Sequence, residues 1–203
     1  MPQIKRVTKQ TDNRYINLYM VEATSKTGRE VRYNVASRGK DVDTLKLTTR
    51  SDREDGVIIY ALYGEKKDRV VLVRQYRYSI DDFIYELPAG LCEAGEDYHA
   101  AAIREMHEET GLVFSPLKVQ PMYEAPRFST IGMTDESVAI VYGTVSGEVS
   151  TRFQEDTEEM SVVIADRDEV RRILSKERVA MPCAYQMMHF VHDADPFAFL
   201  EMG

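Results

Sequence analysis

Apolar residues along this chain follow two different spacings, and the change of spacing divides it. Between residues 4 and 36 they alternate with polar ones. Tyr15, Ile16, Leu18, Met20 and Val21 form one run and Val31, Tyr33 and Val35 another, separated by Thr24-Ser25-Lys26-Thr27-Gly28. Alternation around a Gly-containing turn predicts an antiparallel hairpin or small sheet. Residues 37–41 break the pattern with polar side chains and read as a linker. From Gly56 onward the apolar runs become continuous. Residues 57–62 and 69–76 read as strands buried on both faces, turned by residues 64–68, and residues 83–87 lead into Pro88-Ala89-Gly90. Further strands are expected at 119–123, 138–145 and 162–165. Helices are expected at about 97–110, 167–176 and 182–192. The pattern predicts an α/β (α+β) protein, with an amino-terminal β extension over residues 1–45 and a larger domain over 46–203.

Composition narrows the classes. The 203 residues are 43% hydrophobic, enough for one sizeable core with an appendage. A formal charge of −8 and a pI near 5.1 argue against nucleic acid as the main partner. Cys92 and Cys183 are too few for a disulfide framework, so a reducing cytoplasm is the expected compartment. No apolar run approaches membrane-spanning length and the first ten residues lack a signal-peptide core, so neither membrane nor secretion is expected.

The chemistry concentrates in residues 90–112, GLCEAGEDYHAAAIREMHEETGL. On a helix, spacings of three and four place Glu105, Glu108 and Glu109 on one side. Three carboxylates there repel one another unless a cation neutralises them. Hard oxygen donors with no Cys or His at zinc-ligand spacing point to Mg²⁺ or Mn²⁺. An acidic run on a helix is ordinarily a solvated face. Against that stand Arg104 among the acids, Ala101 as a small residue one turn earlier on the same side, and a separate apolar stripe of Ala102, Ile103 and Met106 for burial. Gly111 supplies a left-handed stop.

This segment resembles the Nudix box, G-x5-E-x7-R-E-U-x-E-E-x-G-U with U aliphatic. Gly90, Glu96, Arg104, Glu105, Met106, Glu108, Glu109, Gly111 and Leu112 occupy its fixed positions, Met106 being the one loose fit. The resemblance implies the Nudix fold, a mixed β-sheet sandwiched between helices. It also implies hydrolysis of nucleoside diphosphates linked to another moiety, with divalent cations held by Glu105, Glu108 and Glu109. Arg104 is expected to orient those carboxylates, and Glu96 to act as scaffold.

Neighbouring residues carry the substrate reading. Arg74-Gln75-Tyr76-Arg77 followed by Glu86-Leu87-Pro88-Ala89-Gly90 is similar to the pattern of ADP-ribose pyrophosphatases and related nucleotide-sugar hydrolases. That similarity implies Arg74 or Arg77 on the substrate and the Ala89 carbonyl on a metal. Tyr123-Glu124-Ala125-Pro126 and Thr134-Asp135-Glu136 resemble later parts of the same pattern, with Glu136 toward substrate. The chain departs from it at Arg127-Phe128-Ser129-Thr130-Ile131, where relatives usually carry a glycine, and Phe128 is a candidate to stack on a base. The acidic stretch at 155–159 stands where such enzymes carry a water-activating glutamate, Glu158 being the first choice and Glu159 and Glu155 the next. Three functions are then in competition: a nucleotide-sugar pyrophosphatase giving NMP and sugar phosphate, a Nudix hydrolase of dinucleoside polyphosphates or nucleoside triphosphates, and a nucleotide-sugar-sensing regulator. An intact box and the lack of a basic helical module weigh against the last. The resemblance also implies a homodimer, with the amino-terminal strands at its interface.

Overall fold

The computed structural model describes residues 1–154 and 159–201. In chain order its elements are β1 (Gln3–Lys9), β2 (Asn17–Thr24), β3 (Glu30–Ser37), a 3-10 turn (Val42–Thr44), α1 (Lys46–Thr49), β4 (Gly56–Tyr63), β5 (Arg69–Arg77), β6 (Asp82–Glu86), β7 (Ala89–Leu91), α2 (Tyr98–Thr110), β8 (Val113–Pro116), α3 (Pro121–Glu124), β9 (Arg127–Phe128), β10 (Ser137–Ser146), β11 (Met160–Ala165), α4 (Arg167–Lys176) and α5 (Met181–His192). Two compact units contain them. The first is Met1–Asp55 with Pro126–Val138, the second Gly56–Ala125 with Ala139–Gly203.

In the first unit the expected hairpin, β2 with β3, gains a third antiparallel strand, β1. The register pairs Tyr19 with Val35 and Val21 with Tyr33 and Val7, so these side chains share one face. At one end of that face Tyr19, Val21 and Val35 are buried together with Leu45, while Ile4, Val31 and Tyr33 at the other end are exposed. Leu45 changes the reading of residues 37–41 as a linker. Its complete burial brings the polar segment back under the sheet, where the Tyr19 hydroxyl donates to the Gly39 carbonyl at 2.7 Å. The stretch 126–138 joins this unit through an Ala36–Thr134 bridge, a hydrogen bond from the Tyr33 hydroxyl to the Gly132 carbonyl, and an ion pair between Arg38 and Glu136.

The second unit is built on a mixed sheet ordered β11-β5-β4-β10-β8, with β6 beside β5 and β7 beside β4. Its central strands carry continuous apolar runs, residues 57–62 of β4 and 70–73 of β5, because both faces are covered there. On β4, Val57, Ile59 and Ala61 pack with Ala101, Ala102 and Met106 of α2, while Tyr60 and Leu62 pack with Val170, Ile173, Met187 and Phe190 of α4 and α5. The sheet between helices is therefore present as expected.

Two local expectations fail. Residues 119–123 do not form a strand. The strand here is β8, and Pro121 instead opens the short helix α3, where its missing N–H costs nothing and its fixed φ suits a first turn. The buried stripe of α2 is Ala101, Ala102, Met106, Glu109 and Thr110, whereas Ile103 is 44% exposed. Ala101 therefore belongs to the core rather than leaving space beside the acids.

Candidate active site

The helix that carries the acids begins and ends where its sequence directs. The Asp97 carboxylate accepts from the backbone N–H of His99 (2.9 Å) and Ala100 (3.4 Å), capping the first turn, and Gly111 closes the last at φ 73°. Because Glu109 continues the stripe of Ala102 and Met106, it is drawn into the interior and is 5% exposed. Its carboxylate accepts the Ala89 N–H at 3.2 Å. Glu105 lies over the next residue of β7, Gly90. A Cβ on Gly90 would sit 1.8 Å from the Glu105 Cδ and 2.1 and 2.3 Å from its oxygens, so glycine is required there by close approach. Ala89 and Gly90, at the start of strand β7 and fixed by its pairing with β4, are thus lined by two box carboxylates.

Arg104 organises the others. Its Nε and Nη2 hold Glu96 bidentately at 3.0 and 2.9 Å, its Nη1 reaches Glu105 at 2.8 Å and Glu108 at 3.0 Å, and Nη2 also donates to the Leu91 carbonyl at 2.9 Å. The guanidinium and the Glu93 N–H keep the Glu96 carboxyl below the usual carboxylate range, and the Arg104 pKa is raised in turn, first by Glu96. Arg104 thus contacts three carboxylates at once, those of Glu96, Glu105 and Glu108.

A divalent cation fits the donor chemistry of this place. Glu105, Glu108, Glu109 and a main-chain carbonyl at Ala89 are hard oxygen donors, and Glu105 fills a cradle that any side chain on residue 90 would block. Among the described residues, no three Asp, Glu, His or Cys side chains are grouped as a metal-ligand set. In this structure it is Arg104 that brings Glu105 and Glu108 together.

The remaining expected residues fall in different places. Arg74 is half-buried on β5 with its guanidinium 4.2 Å from the Phe83 ring centre. Arg77 is bound through Nε (3.1 Å) and Nη2 to Glu86, the residue that opens the Glu-Leu-Pro-Ala-Gly run. Phe128 and Glu136 belong to the first unit. Phe128 is 42% exposed with the Lys46 ammonium 5.8 Å from its ring centre, and Glu136 is engaged by Arg38 at 2.8 Å and by the Ser129 hydroxyl at 3.2 Å. Glu155 and Glu158 lie outside the described residues. The Glu159 carbonyl accepts the Tyr76 N–H at 2.9 Å.

Sequence reasoning did not find two polar arrangements around α2. His99 Nε2 lies 3.0 Å from Glu124, whose carboxyl is buried and pushed up by desolvation. Gln154 reaches the Glu109 carbonyl. Both partners come from distant segments, so no spacing within α2 signals them.

The family model described as the NUDIX domain matches residues 52–182, well over half of the chain. The chain belongs to the Nudix family. Among curated Nudix relatives, an ADP-ribose pyrophosphatase of Saccharomyces cerevisiae is 28% identical over 143 residues, 68% of this chain and 56% of that protein. An ADP-ribose pyrophosphatase of Bacillus subtilis is 28% identical over 136 residues, 66% of this chain and 70% of that protein. A solved structure described as an ADP compounds hydrolase superposes with a TM-score of 0.60 at 18% identity, covering 94% of this chain and 91% of that one, and so shares the fold. The chain spans about half the length of the first curated relatives it matches, 52% and 56%. Nudix hydrolases are generally dependent on divalent metal. Among the described residues, no helix is long and apolar enough to cross a membrane.

Proposed function

We propose that this Nudix chain is a pyrophosphohydrolase that cleaves the diphosphate of ADP-ribose or a related nucleoside diphosphate sugar, releasing NMP and sugar phosphate. The observation that carries this reading is the pair of box carboxylates, Glu105 and Glu109, set on Ala89 and Gly90 of strand β7. The names of the yeast and Bacillus relatives point to the substrate class.

Glu105, Glu108, Glu109 and the Ala89 carbonyl would hold Mg²⁺, with Mn²⁺ as a substitute. When bound, such ions neutralise phosphate charge and lower the pKa of a coordinated water. The protein's own part is positional. Arg104 holds Glu96, Glu105 and Glu108 in set rotamers, which removes reorganisation from the reaction. Glu158 takes the proton of the attacking water as the water oxygen bonds to phosphorus and the P–O–P bridge breaks, a role worth roughly 10² to 10⁴-fold. Glu155 and Glu159 are the next choices. Arg74 is the stronger arginine for the diphosphate, since Arg77 is committed to Glu86. Phe128 and Glu136 are proposed as substrate contacts on the resemblance alone. A cytoplasmic homodimer joined through the amino-terminal strands completes the reading. Its support is the apolar end of the β1-β2-β3 face, with Ile4, Val31 and Tyr33 exposed.

The test is a panel of nucleoside diphosphate sugars, dinucleoside polyphosphates and nucleoside triphosphates with Mg²⁺, reading kcat/KM for each and identifying products. ADP-ribose should lead, yielding AMP and ribose phosphate. A lead for triphosphates or dinucleoside polyphosphates would replace this substrate class, and binding without metal-dependent turnover would indicate the sensor function. Light scattering that gives a concentration-independent mass near 23.3 kDa would overturn the dimer.

A further inference from the structure

The last four carbonyls of any α-helix lack partners within it. At the end of α2 these belong to the turn that carries Glu108 and Glu109, and a segment some forty residues later supplies donors to two of them. The Gly111 N–H satisfies the His107 carbonyl at 2.8 Å. The Ser150 N–H donates to the Thr110 carbonyl at 2.8 Å, and the Gln154 side-chain amide to the Glu109 carbonyl at 2.6 Å. Gly111 lets the two segments touch, because a Cβ on it would lie 2.7 Å from the Ser150 Cβ and 2.8 Å from the Ser150 N. Phe153 packs on His107 of the same turn, ring centres 4.5 Å apart and planes tilted by 40°, with the Arg152 guanidinium 4.4 Å from the centre of the Phe153 ring.

Glu109 is therefore held from two sides. Its carboxylate meets the Ala89 N–H, and its own carbonyl meets Gln154. We propose that Gln154 is a positioning residue, whose amide caps α2 at Glu109 and so fixes the turn that presents Glu108 and Glu109 to the active site. This deepens the pyrophosphohydrolase reading and rests on it for the catalytic consequence. The capping itself does not depend on that reading. The hydrogen-bond donor is what matters, since Phe153 on His107 already supplies apolar contact between the segments.

The variants separate donor from packing. Gln154→Met keeps bulk and loses the donor, and Gln154→Glu keeps shape and turns an acceptor toward the carbonyl. Gln154→Lys restores a donor, with a charge favourable at a helix C-terminus. Two quantities are read: amide hydrogen exchange across residues 107–112 without metal or substrate, and kcat and KM for ADP-ribose with Mg²⁺. The Met and Glu variants should each exchange about fivefold faster in that window, through local opening of the turn. Each should lose kcat about tenfold with KM within about twofold, the scale of a lost supporting contact to a metal ligand. The Lys variant should recover most of both. Wild-type exchange and kcat in the Met variant would overturn the proposal, and so would a Lys variant as impaired as the Met variant. Should the wild-type chain fail to hydrolyse ADP-ribose while the Met variant still exchanges faster, the substrate reading falls and the cap stands.

Discussion

The cluster around Arg104 and the cluster around Lys46 both bring opposite charges into partly buried surroundings, yet their stoichiometry differs. In the first unit the Lys46 ammonium meets the Asp55 carboxylate at 2.7 Å, the Arg53 carbonyl at 2.7 Å and the Ser137 hydroxyl, while the Ser137 N–H returns to Asp55 at 2.9 Å. Three ammonium donors have three acceptors, and one carboxylate balances one base. In the second unit the box segment 90–112 sets Glu93, Glu96, Asp97, Glu105, Glu108 and Glu109 against Arg104 alone. Arg104 gathers three of these acids around one guanidinium. A balanced clasp is complete as it stands and serves stability. An acid-rich cluster beside strand β7 is suited to further positive charge, as the proposed cation site requires.

The largest expected effect attacks the acid-rich side of that contrast. Glu109→Gln preserves shape and removes a ligand charge, so kcat at saturating Mg²⁺ should fall on the order of 10² to 10⁴-fold while the thermal transition stays cooperative. Wild-type turnover in this variant would remove Glu109 from the metal site. Next is Glu158→Gln, expected to lose about 10²-fold in kcat with KM nearly unchanged, because a general base contributes little to ground-state binding. Full activity would pass the role to Glu155, Glu159 or Glu136.

Arg104→Met should act on stability as well as on rate. Carboxylates drawn together by the guanidinium would face one another without it, at a cost of about 1–3 kcal/mol, read from urea unfolding. The sign with pH follows from Glu96. Its folded pKa lies below the ordinary value of 4.5, so the stability it contributes is complete above that value and is lost as pH falls through the folded pKa. Part of the acid destabilisation expected of the wild type below pH 4.5 should therefore be missing in the variant, and identical acid limbs would contradict the pairing.

Lys46→Met is the smallest and sharpest contrast. Breaking the balanced clasp should cost about 1–2 kcal/mol, since the Asp55 carboxylate is left partly buried. The Mg²⁺ concentration for half-maximal rate should not move. A large shift in that requirement would mean that the two clusters are not separate in function.

Much of the second unit is legible from the chain itself. Continuous apolar runs marked β4 and β5, and α4 was expected at its observed bounds of Arg167–Lys176. Such runs bury on either face, so pattern alone suffices. The box helix was as readable, because Asp97 and Gly111 punctuate it by local chemistry. Short elements were not. Pro121 looked like the interior of a strand until its place at the start of a helix was seen, and β1 was not distinguished within the alternation of residues 4–36.

What the sequence by itself determined is the spacing of acids on one helix, the glycines around it and membership in a family, because these depend on residues adjacent along the chain. Tertiary structure alone decided the depth of each acid. Glu109 is buried and Glu108 half-exposed because the stripe of Ala102 and Met106 turns toward the sheet, and periodicity cannot say which side a core will cover. It also decided the partners drawn from far away: Gln154 on Glu109, Glu124 on His99, Leu45 beneath Tyr19. Each of these unites segments that only the folded chain brings together, and loop closure over such distances leaves no local signature in the sequence.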